Sequence, residues 1–226
     1  MKRLILSAAF AALGAGAALA QAPHPAGHDP DKTVQGGGLP AGWQARLDED
    51  AKIDAVKFEK MGTGVHVTTG PAGIFYQTPP ARLAGTPGVS ATFTQMAPSA
   101  HPEAYGVFIG GSDLQGPNQK YTYFVIRQDG KFLVKRRDGG NTPTVTNWTD
   151  NAAIKKADAS GKMTNTLAIE TDKEKAHFLV NGTEVGAVPV SQIDVDGVAG
   201  LRVNHNLNVH VDGFTTKGAK MSRSPE

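Results

Sequence analysis

Short segments of β-type sequence, separated by turn signals, recur along most of this 226-residue chain. Each segment alternates apolar with polar residues or is enriched in β-branched and aromatic residues, as strands of a sheet are. The predicted strands cover residues 64–69, 73–77, 89–96, 105–111, 120–128, 131–137, 164–171, 175–180, 183–188, 200–204 and 207–214. Only residues 150–162 suggest helix, as one or two turns over a sheet edge. The chain is therefore predicted to be all-β.

Two of the turn signals predict tight hairpins. Asp129-Gly130 separates the segments 120–128 and 131–137, and Asn181-Gly182 separates the segments 175–180 and 183–188. Asn, Asp and Gly accept the positive φ angles that two-residue hairpin loops require. We therefore expect a two-residue loop at each position, with the flanking strands paired antiparallel.

The number and spacing of the segments predict a two-sheet antiparallel sandwich of the jelly-roll type. A β-propeller would show a repeat of blade length, and the sequence has no such self-similarity. An immunoglobulin-like sandwich needs about half as many residues. The jelly roll is accordingly the predicted fold.

The last predicted strand, LNVHVDGF, shows which of its faces is apolar. Alternate residues of a strand point to opposite faces of its sheet. The apolar set is Leu207, Val209 and Val211, and the polar set is Asn208, His210 and Asp212. The polar set is therefore predicted to face solvent or a groove, away from the core.

The first twenty residues have the features of a secretory signal peptide. Lys2 and Arg3 precede an apolar run that ends in Ala18-Leu19-Ala20, the small-x-small pattern cut by signal peptidase. The run of about 17 apolar residues is marginal for a membrane span. We therefore expect no transmembrane anchor after cleavage, and a secreted or periplasmic protein.

The rest of the chain is predicted to hold one domain. Pro and Gly are frequent and apolar periodicity is absent in residues 21–41, which predicts a flexible leader. Residues 42–216 form the predicted β-sandwich domain, and residues 217–226 a disordered tail. His24 and His28 are interpreted as part of the leader, because the leader offers few other metal ligands.

Charge and cysteine content exclude several functions. Without Lys2 and Arg3 the chain has 21 Lys and Arg against 21 Asp and Glu. Nucleic-acid binding normally needs a basic excess, so DNA and RNA are not expected as partners. The chain has no cysteine, which excludes disulfides, thiol catalysis and thiolate metal sites.

Several motifs resemble the concanavalin A-like lectin/glucanase superfamily, over residues 42–216. They include HVTTGPAGIFY, YGVFIGG, YFVIRQDGKFLVKRRDG, FLVNGTEV and GLRVNHNLNVHVDGF. More narrowly, the chain resembles secreted bacterial proteins of the 3-keto-disaccharide hydrolase domain type. The resemblance implies a curved sandwich and carbohydrate-related work, and it keeps open a single structural Ca²⁺ held by Asp and Asn oxygens.

The resemblance assigns no catalytic residue. The E-x-D-x-x-E strand of retaining β-glucanases is absent, as are the Q-x-H and R-x-E-x-R strands of alginate lyases. The catalytic candidates are His101, Glu103 and Asp113, which flank one predicted strand, and His210. The alternative is that the loop residues among them bond to their own backbone.

Ligand-binding candidates are aromatic, guanidinium and amide groups. Tyr121 and Tyr123 share one strand face with Arg127, and aromatic faces beside polar donors are a usual basis of sugar binding. The alternative is that these tyrosines belong to the sandwich core. The full candidate set is Tyr105, Tyr121, Tyr123, Arg127, Trp148, Asn204 and His205.

No metal site is predicted. His205 and His210 are five residues apart and would point to opposite faces of a regular strand. Asn204, His205 and Asn206 are instead expected to form a polar turn between the last two strands. No cofactor is predicted, and the oligomeric state is open.

Three functions therefore compete. The first is a carbohydrate-recognising module without catalysis, and the second is a glycoside-directed hydrolase acting on di- or oligosaccharides. The third is a structural cell-envelope protein. Polar groups that converge in a groove would distinguish the first two from the third.

Overall fold

The computed structural model describes residues 30–160 and 162–220, with only the backbone at 219 and 220. The predicted signal peptide, leader residues 21–29 with His24 and His28, and residues 221–226 lie outside this range. The described residues form fourteen strands: β1 Trp43–Leu47, β2 Val56–Met61, β3 Gly64–Thr69, β4 Gly73–Gln77, β5 Arg82–Gln95, β6 Ala104–Ser112, β7 Lys120–Arg127, β8 Lys131–Asp138, β9 Thr144–Asp150, β10 Met163–Thr171, β11 Lys175–Val180, β12 Thr183–Pro189, β13 Gly197–Val203 and β14 Asn208–Lys220. Three short 3₁₀ turns occur at Asp48–Asp50, Ile53–Ala55 and Val190–Gln192.

The strands form two antiparallel sheets that are joined at one place. Sheet I has the order β1-β4-β13-β6-β7-β8-β9, and sheet II has the order β2-β3-β14-β5-β10-β11-β12. The sheets are joined where β13 also pairs with β5, through Gly197 opposite Leu83 and Val198 opposite Arg82. This is a jelly-roll sandwich, so the predicted fold class is confirmed.

The main core lies between the inner faces of the two sheets. Phe93 of sheet II contacts Tyr105 of sheet I with ring centroids 5.2 Å apart, and Phe124 contacts Phe178 at 5.3 Å. These rings have almost no exposed surface. Burial of several such side chains, each contributing roughly 2 to 3 kcal/mol, is the main force that holds the sheets together.

The eleven predicted strands are all present, and β3, β4 and β11 have the predicted bounds. Three strands were missed, namely β1, β2 and β9, and all three are edges of their sheets. An edge strand has a neighbour on one side only and is more exposed, so it tolerates polar residues that hide the apolar alternation. The sequence VKFEKM of β2 is an example.

One hairpin matches its prediction and the other differs in loop length. Asn181 and Gly182 have φ angles of 52° and 80°, and Val180 pairs with Thr183 across a two-residue loop. The other loop has three residues, 128–130, because Arg127 pairs with Lys131. There only Gly130 has positive φ, so the predicted two-residue loop at this hairpin is wrong.

The segment 150–162 forms turns rather than helix in its described part. Side chains of residues outside the segment hydrogen-bond its backbone N–H and C=O groups. Asn165 of β10 accepts from Lys155 N at 2.9 Å and donates to Lys155 O at 3.0 Å. Asn181 donates to Ala153 O at 2.8 Å. These bonds replace the i to i−4 bonds of a helix, and the predicted helical turns are therefore wrong.

Both ends of the described chain are attached to the sandwich. Residues 30–41 have no helix or strand, yet Lys32 N donates to Asn206 Oδ1 at 2.7 Å and Gly36 N donates to Asp54 O at 2.7 Å. At the other end, β14 continues to Lys220, opposite Leu83. The last strand thus extends past the predicted domain boundary at residue 216.

Strand β14 alternates as predicted. Val209 and Val211 are buried in the main core, whereas His210 lies on the outer face of sheet II, opposite His66. The turn between β13 and β14 spans residues 204–207, with Asn206 at φ 58°. Among the described residues, no helix has the length and hydrophobicity to cross a membrane.

Candidate functional site

The outer face of sheet I carries a second apolar cluster, separate from the main core. Tyr121, Tyr123 and Val125 of β7 point to this face, while Thr122, Phe124 and Ile126 point inward. The cluster also contains Ile74, Tyr76, Phe108, Leu114 and Leu133, with Trp148 packed against it. We call this surface, together with its polar side chains, the sheet I face.

Arg202 of β13 is the central polar residue of the sheet I face. Its side chain is 9% exposed, and its Cζ lies 5.6 Å from the centroid of the Tyr123 ring. Arg202 donates to both carboxylate oxygens of Asp48, at 2.9 and 2.6 Å, and to Asn204 Oδ1 at 3.3 Å. A guanidinium that makes a bidentate carboxylate pair beside an aromatic ring is held in one orientation.

The charges at this pair shift the ionisation of their neighbours. Burial acts to raise the pKa of Asp48, but attraction to Arg202, and to a smaller extent to Arg137 and Arg46, outweighs burial and lowers that pKa. Burial raises the pKa of Tyr121, against the attraction of Arg202. At neutral pH Asp48 is therefore a carboxylate and Tyr121 a neutral phenol.

Two more arginines contact the sheet I face without a carboxylate partner in the described part of the chain. Arg46 of β1 donates to the carbonyl oxygens of Leu114 and Gly116. Arg137 of β8 donates through Nε and Nη2 to the Gln119 amide oxygen, at 3.2 and 3.1 Å, in the amide orientation that satisfies both ends. The 112–119 segment thus fixes both guanidinium groups.

At the β9 edge, Arg127 and Trp148 pack together. The Arg127 Cζ lies 4.4 Å from the Trp148 ring centroid, a cation–π contact. Arg127 also forms a bidentate ion pair with Asp129, at 2.8 and 2.6 Å. Two of the predicted ligand-binding residues therefore lie in contact, partly exposed, on the outer side of sheet I. Tyr121 and Tyr123 point to the same side but are buried in its apolar cluster, with 2% and 8% of their surface exposed.

A polar cluster at the end of the sandwich continues the sheet I face. His205 Nε2 lies 2.8 Å from Glu103 Oε1, and His205 Nδ1 lies 3.1 Å from Asp31 Oδ1. Asn204 Nδ2 donates to Glu103 Oε2 at 3.3 Å. Burial acts to lower the pKa of His205, but Glu103 and then Asp31 outweigh it and raise that pKa. The result is a chain of polar contacts from Asp31 through His205, Glu103 and Asn204 to Arg202.

A shallow cleft of about 300 Å³ opens beside this cluster. His205 and three carboxylates, Asp31, Asp48 and Glu49, line it together with Ala51, Pro71 and Ala72. Among the described residues, no group of three or more His, Cys, Asp or Glu side chains is placed to hold a metal ion. The carboxylates around His205 bind opposite nitrogens of its ring, so they do not converge on one point.

The predicted catalytic residues do not come together. His101 is exposed, and the Asp113 carboxylate accepts from Asn118 N at 2.9 Å within its own loop. His210 lies on sheet II, where its Nε2 is 3.0 Å from Asp212 Oδ2. Of the four, only Glu103 reaches the polar cluster.

Of the seven predicted ligand-binding residues, six lie on the sheet I face or its end cluster: Tyr121, Tyr123, Arg127, Trp148, Asn204 and His205. Tyr105 does not, because its side chain points between the sheets with no exposed surface, where burial strongly raises the pKa of its hydroxyl. It is a core residue and cannot contact a ligand at the surface.

Sequence reasoning missed Asp48, Arg137 and Arg202. Asp48 precedes the first predicted strand, 64–69, and Arg202 is one polar residue within the predicted strand GLRVN. The available signal was the single charged side chain within an otherwise apolar strand, since a buried arginine requires a partner. That partner is 154 residues away in sequence.

Comparison with known proteins shows the fold. No family model and no curated protein matches the chain. A carbohydrate-binding module, CBM66 from Bacillus subtilis, matches with a TM-score of 0.57 at 10% identity, over 78% of this chain and 96% of the module. Alginate lyase A1-II′, of polysaccharide lyase family 7, matches with a TM-score of 0.54 at 12% identity, over 80% and 96%.

A glycoside hydrolase family 16 protein from Bacteroides ovatus matches with a TM-score of 0.53 at 10% identity, over 78% of this chain and 94% of its own. At such identities the likeness concerns architecture. The shared architecture is the jelly-roll sandwich, the fold that the sequence predicted.

Proposed function

We propose that this protein is a secreted or periplasmic carbohydrate-recognising module, with the sheet I face as its binding surface. The observation that carries the proposal is the convergence of Arg202, Asp48 and Asn204 beside Tyr123. Saccharides present apolar C–H surfaces together with pairs of hydroxyls, and they are bound by aromatic rings beside planar polar groups. At its surface the described face offers both kinds of group, because Asp48, Asn204 and the Trp148 ring are partly exposed, whereas Tyr121 and Tyr123 are buried and support them from within the cluster.

Two further observations support recognition over a purely structural role. Polar side chains converge on the face instead of being scattered among valines and threonines, as an envelope scaffold would allow. The three matched proteins described above are also a carbohydrate-binding module, an alginate lyase and a glycoside hydrolase by name. Catalysis is the alternative, and Glu103 is its strongest residue, with both carboxylate oxygens in hydrogen bonds.

The test is the melting temperature of the mature protein against a panel of soluble di- and oligosaccharides, with and without a chelator. A ligand at 100 times its Kd stabilises the folded state by about 2.7 kcal/mol. For a chain of this size the midpoint should rise by roughly 5 to 10 °C. Mass analysis of the same samples shows whether the saccharide is held or cut, and the chelator reveals a structural Ca²⁺.

Matched variants locate the surface. Trp148→Ala removes the ring that packs against Arg127. It should lower the affinity for the saccharide that the panel selects by about tenfold, the effect of one lost aromatic contact. Thr164→Ala, on the outer face of sheet II, should leave the affinity unchanged. If both variants bind with equal affinity, the saccharide binds elsewhere on the protein. If no saccharide of the panel raises the melting temperature, the structural role is favoured.

A further inference from the structure

The sheet I face has an excess of positive charge in the described residues. Its cations are Arg46, Arg127, Lys131, Lys135, Arg137 and Arg202, and its carboxylates, including those of the adjoining segments 112–119 and 128–130, are Asp48, Asp113, Asp129 and Asp150. Three of the carboxylates form the ion pairs Arg202–Asp48, Arg127–Asp129 and Lys131–Asp150, and the fourth, Asp113, accepts from Asn118 N. Within the described part of the chain, Arg46, Lys135 and Arg137 therefore have no ion-pair partner.

Two of these cations share the electrostatic environment of the central ion pair. Arg46 and Arg137 both act on the charges of Asp48 and Tyr121, together with Arg202. Three guanidinium groups thus act electrostatically on one carboxylate, and Arg202 already occupies both of its oxygens. Since positive charges held close together repel one another, an added anion at this place is favoured.

The guanidinium of Arg137 is held in place by hydrogen bonds, but no carboxylate of the described residues neutralises its charge. Its only side-chain acceptor among the described residues is the neutral Gln119 amide, at 3.1 and 3.2 Å. Lys135 projects from the same face of β8, two residues away, and Lys135 and Arg137 stand opposite Tyr123 and Tyr121 of β7. A point charge and a planar fork therefore lie beside two aromatic rings. The acidic cleft with Asp31 and Glu49 lies toward the end cluster.

We infer that the saccharide bound by this face is anionic, with its acidic group held by Arg137 and Lys135. The inference rests on the proposed function and specifies its substrate class. A carboxylate or a sulfate would complete the bidentate geometry of Arg137, which a neutral hydroxyl satisfies less strongly. The sugar ring would then lie on the surface next to Arg137 and Lys135, which are partly exposed, whereas the Tyr121 and Tyr123 rings opposite them are buried.

The experiment is calorimetric titration of the mature protein with trimeric uronates, each paired with its methyl ester. Galacturonate, mannuronate and guluronate trimers give the carboxylated arm, and a sulfated oligogalactose gives the sulfated arm. The ester has the same skeleton without the charge. We expect the acid to bind at least about tenfold tighter than its ester in ~50 mM salt, the difference that one charge-assisted bidentate contact supplies.

Salt and a single substitution identify the charge that is responsible. In ~1 M salt the screening length falls to about 3 Å, so the advantage of the acid over the ester should shrink several-fold. Arg137→Gln should remove most of the advantage while the ester binds as before. Lys217→Gln, an exposed cation on sheet II, is the matched control and should change neither affinity.

Each outcome decides something. Tighter binding of carboxylated trimers, or of the sulfated sugar alone, supports the inference and names the acidic group. Equal binding of acids and esters, or binding of neutral oligosaccharides only, overturns the anionic assignment and leaves the proposed function standing. Failure of every acidic and neutral saccharide to bind overturns both.

Discussion

Arg202 is a charged side chain buried among apolar neighbours, and its existence there depends on Asp48. Removal of one member of a buried ion pair leaves the other charge without compensation, which costs about 3 to 5 kcal/mol in well-buried pairs. Asp48 is more exposed than Arg202, at 31% against 9%, so water screens part of the interaction. The contact is nonetheless the polar centre of the sheet I face.

We predict that Asp48→Asn lowers the free energy of unfolding by about 2 kcal/mol, a value reduced for this exposure. Asp48→Asn with Arg202→Met should recover part of the loss, because the unpaired charge is then absent. Urea denaturation of the three proteins measures both changes. A loss of unfolding free energy under about 0.5 kcal/mol would show that water solvates the Arg202 charge without help from Asp48.

His205 gives a pH dependence with a definite sign. Its pKa in the folded state is raised by Glu103 and Asp31, against burial. The stabilisation by the charged ring is therefore fully present below the ordinary histidine pKa of about 6.5 and is lost as pH rises through the higher folded value. We predict that the stability advantage over His205→Gln is larger at pH 5.5 than at pH 8.

Thermal unfolding of both proteins at the two pH values measures this difference. His177, whose pKa is also raised by its bonds to Asp172 and Glu184, is present in both and cancels. An advantage that is constant, or that grows with pH, would contradict a charged His205.

At the scale of the elements, the loop between β11 and β12 is bonded to β10 and to the turn segment that follows β9. The Asn181 side chain accepts from Thr166 N at 3.0 Å and donates to Ala153 O and Asn165 Oδ1, both at 2.8 Å. It therefore fixes the hairpin to β10 and to the turn segment after β9. Its positive φ is tolerated because asparagine visits this region at low cost.

We predict that Asn181→Ala destabilises the protein by about 2 to 3 kcal/mol, through lost hydrogen bonds and backbone strain. Gly182→Ala is the control for strain alone, since a Cβ there meets nothing within 4 Å and φ is 80°. It should cost about 1 kcal/mol. Equal losses in denaturant titrations would mean that the side-chain bonds of Asn181 contribute little.

At the scale of the whole molecule, the junction of β13 with β5 connects the two sheets. Gly197 lies at this junction with φ 141°, and a Cβ there would be 2.5 Å from the carbonyl oxygen of Gly111. Both the backbone conformation and the space therefore require glycine. A substitution at Gly197 therefore affects the alignment of both sheets.

We predict that Gly197→Ala lowers the unfolding free energy by more than about 2 kcal/mol, with one cooperative transition retained. Gly140→Ala, where a Cβ meets nothing within 4 Å and φ is not positive, should change it by less than about 0.5 kcal/mol. Unfolding followed by fluorescence and circular dichroism measures both. Two separate transitions in Gly197→Ala would show that the sheets unfold independently.

The sequence by itself determined the strands and their faces. Apolar alternation in segments such as 207–214 is a local property of the chain, and so is the turn chemistry of Asn181-Gly182. It also predicted that Tyr121, Tyr123 and Arg127 share a face, because side chains alternate with a period of two. Edge strands were missed because exposure weakens that pattern.

Only the tertiary structure decided which strands are neighbours, and with them the composition of the site. Arg202 and Asp48 are 154 residues apart, and His205 and Asp31 are 174 apart. Local periodicity gives the direction of each side chain within its own strand, but not the identity of the residue that lies opposite it. Pairing is selected by packing of the whole core, so the ion pair and the excess of arginines around it emerge only in the folded sandwich.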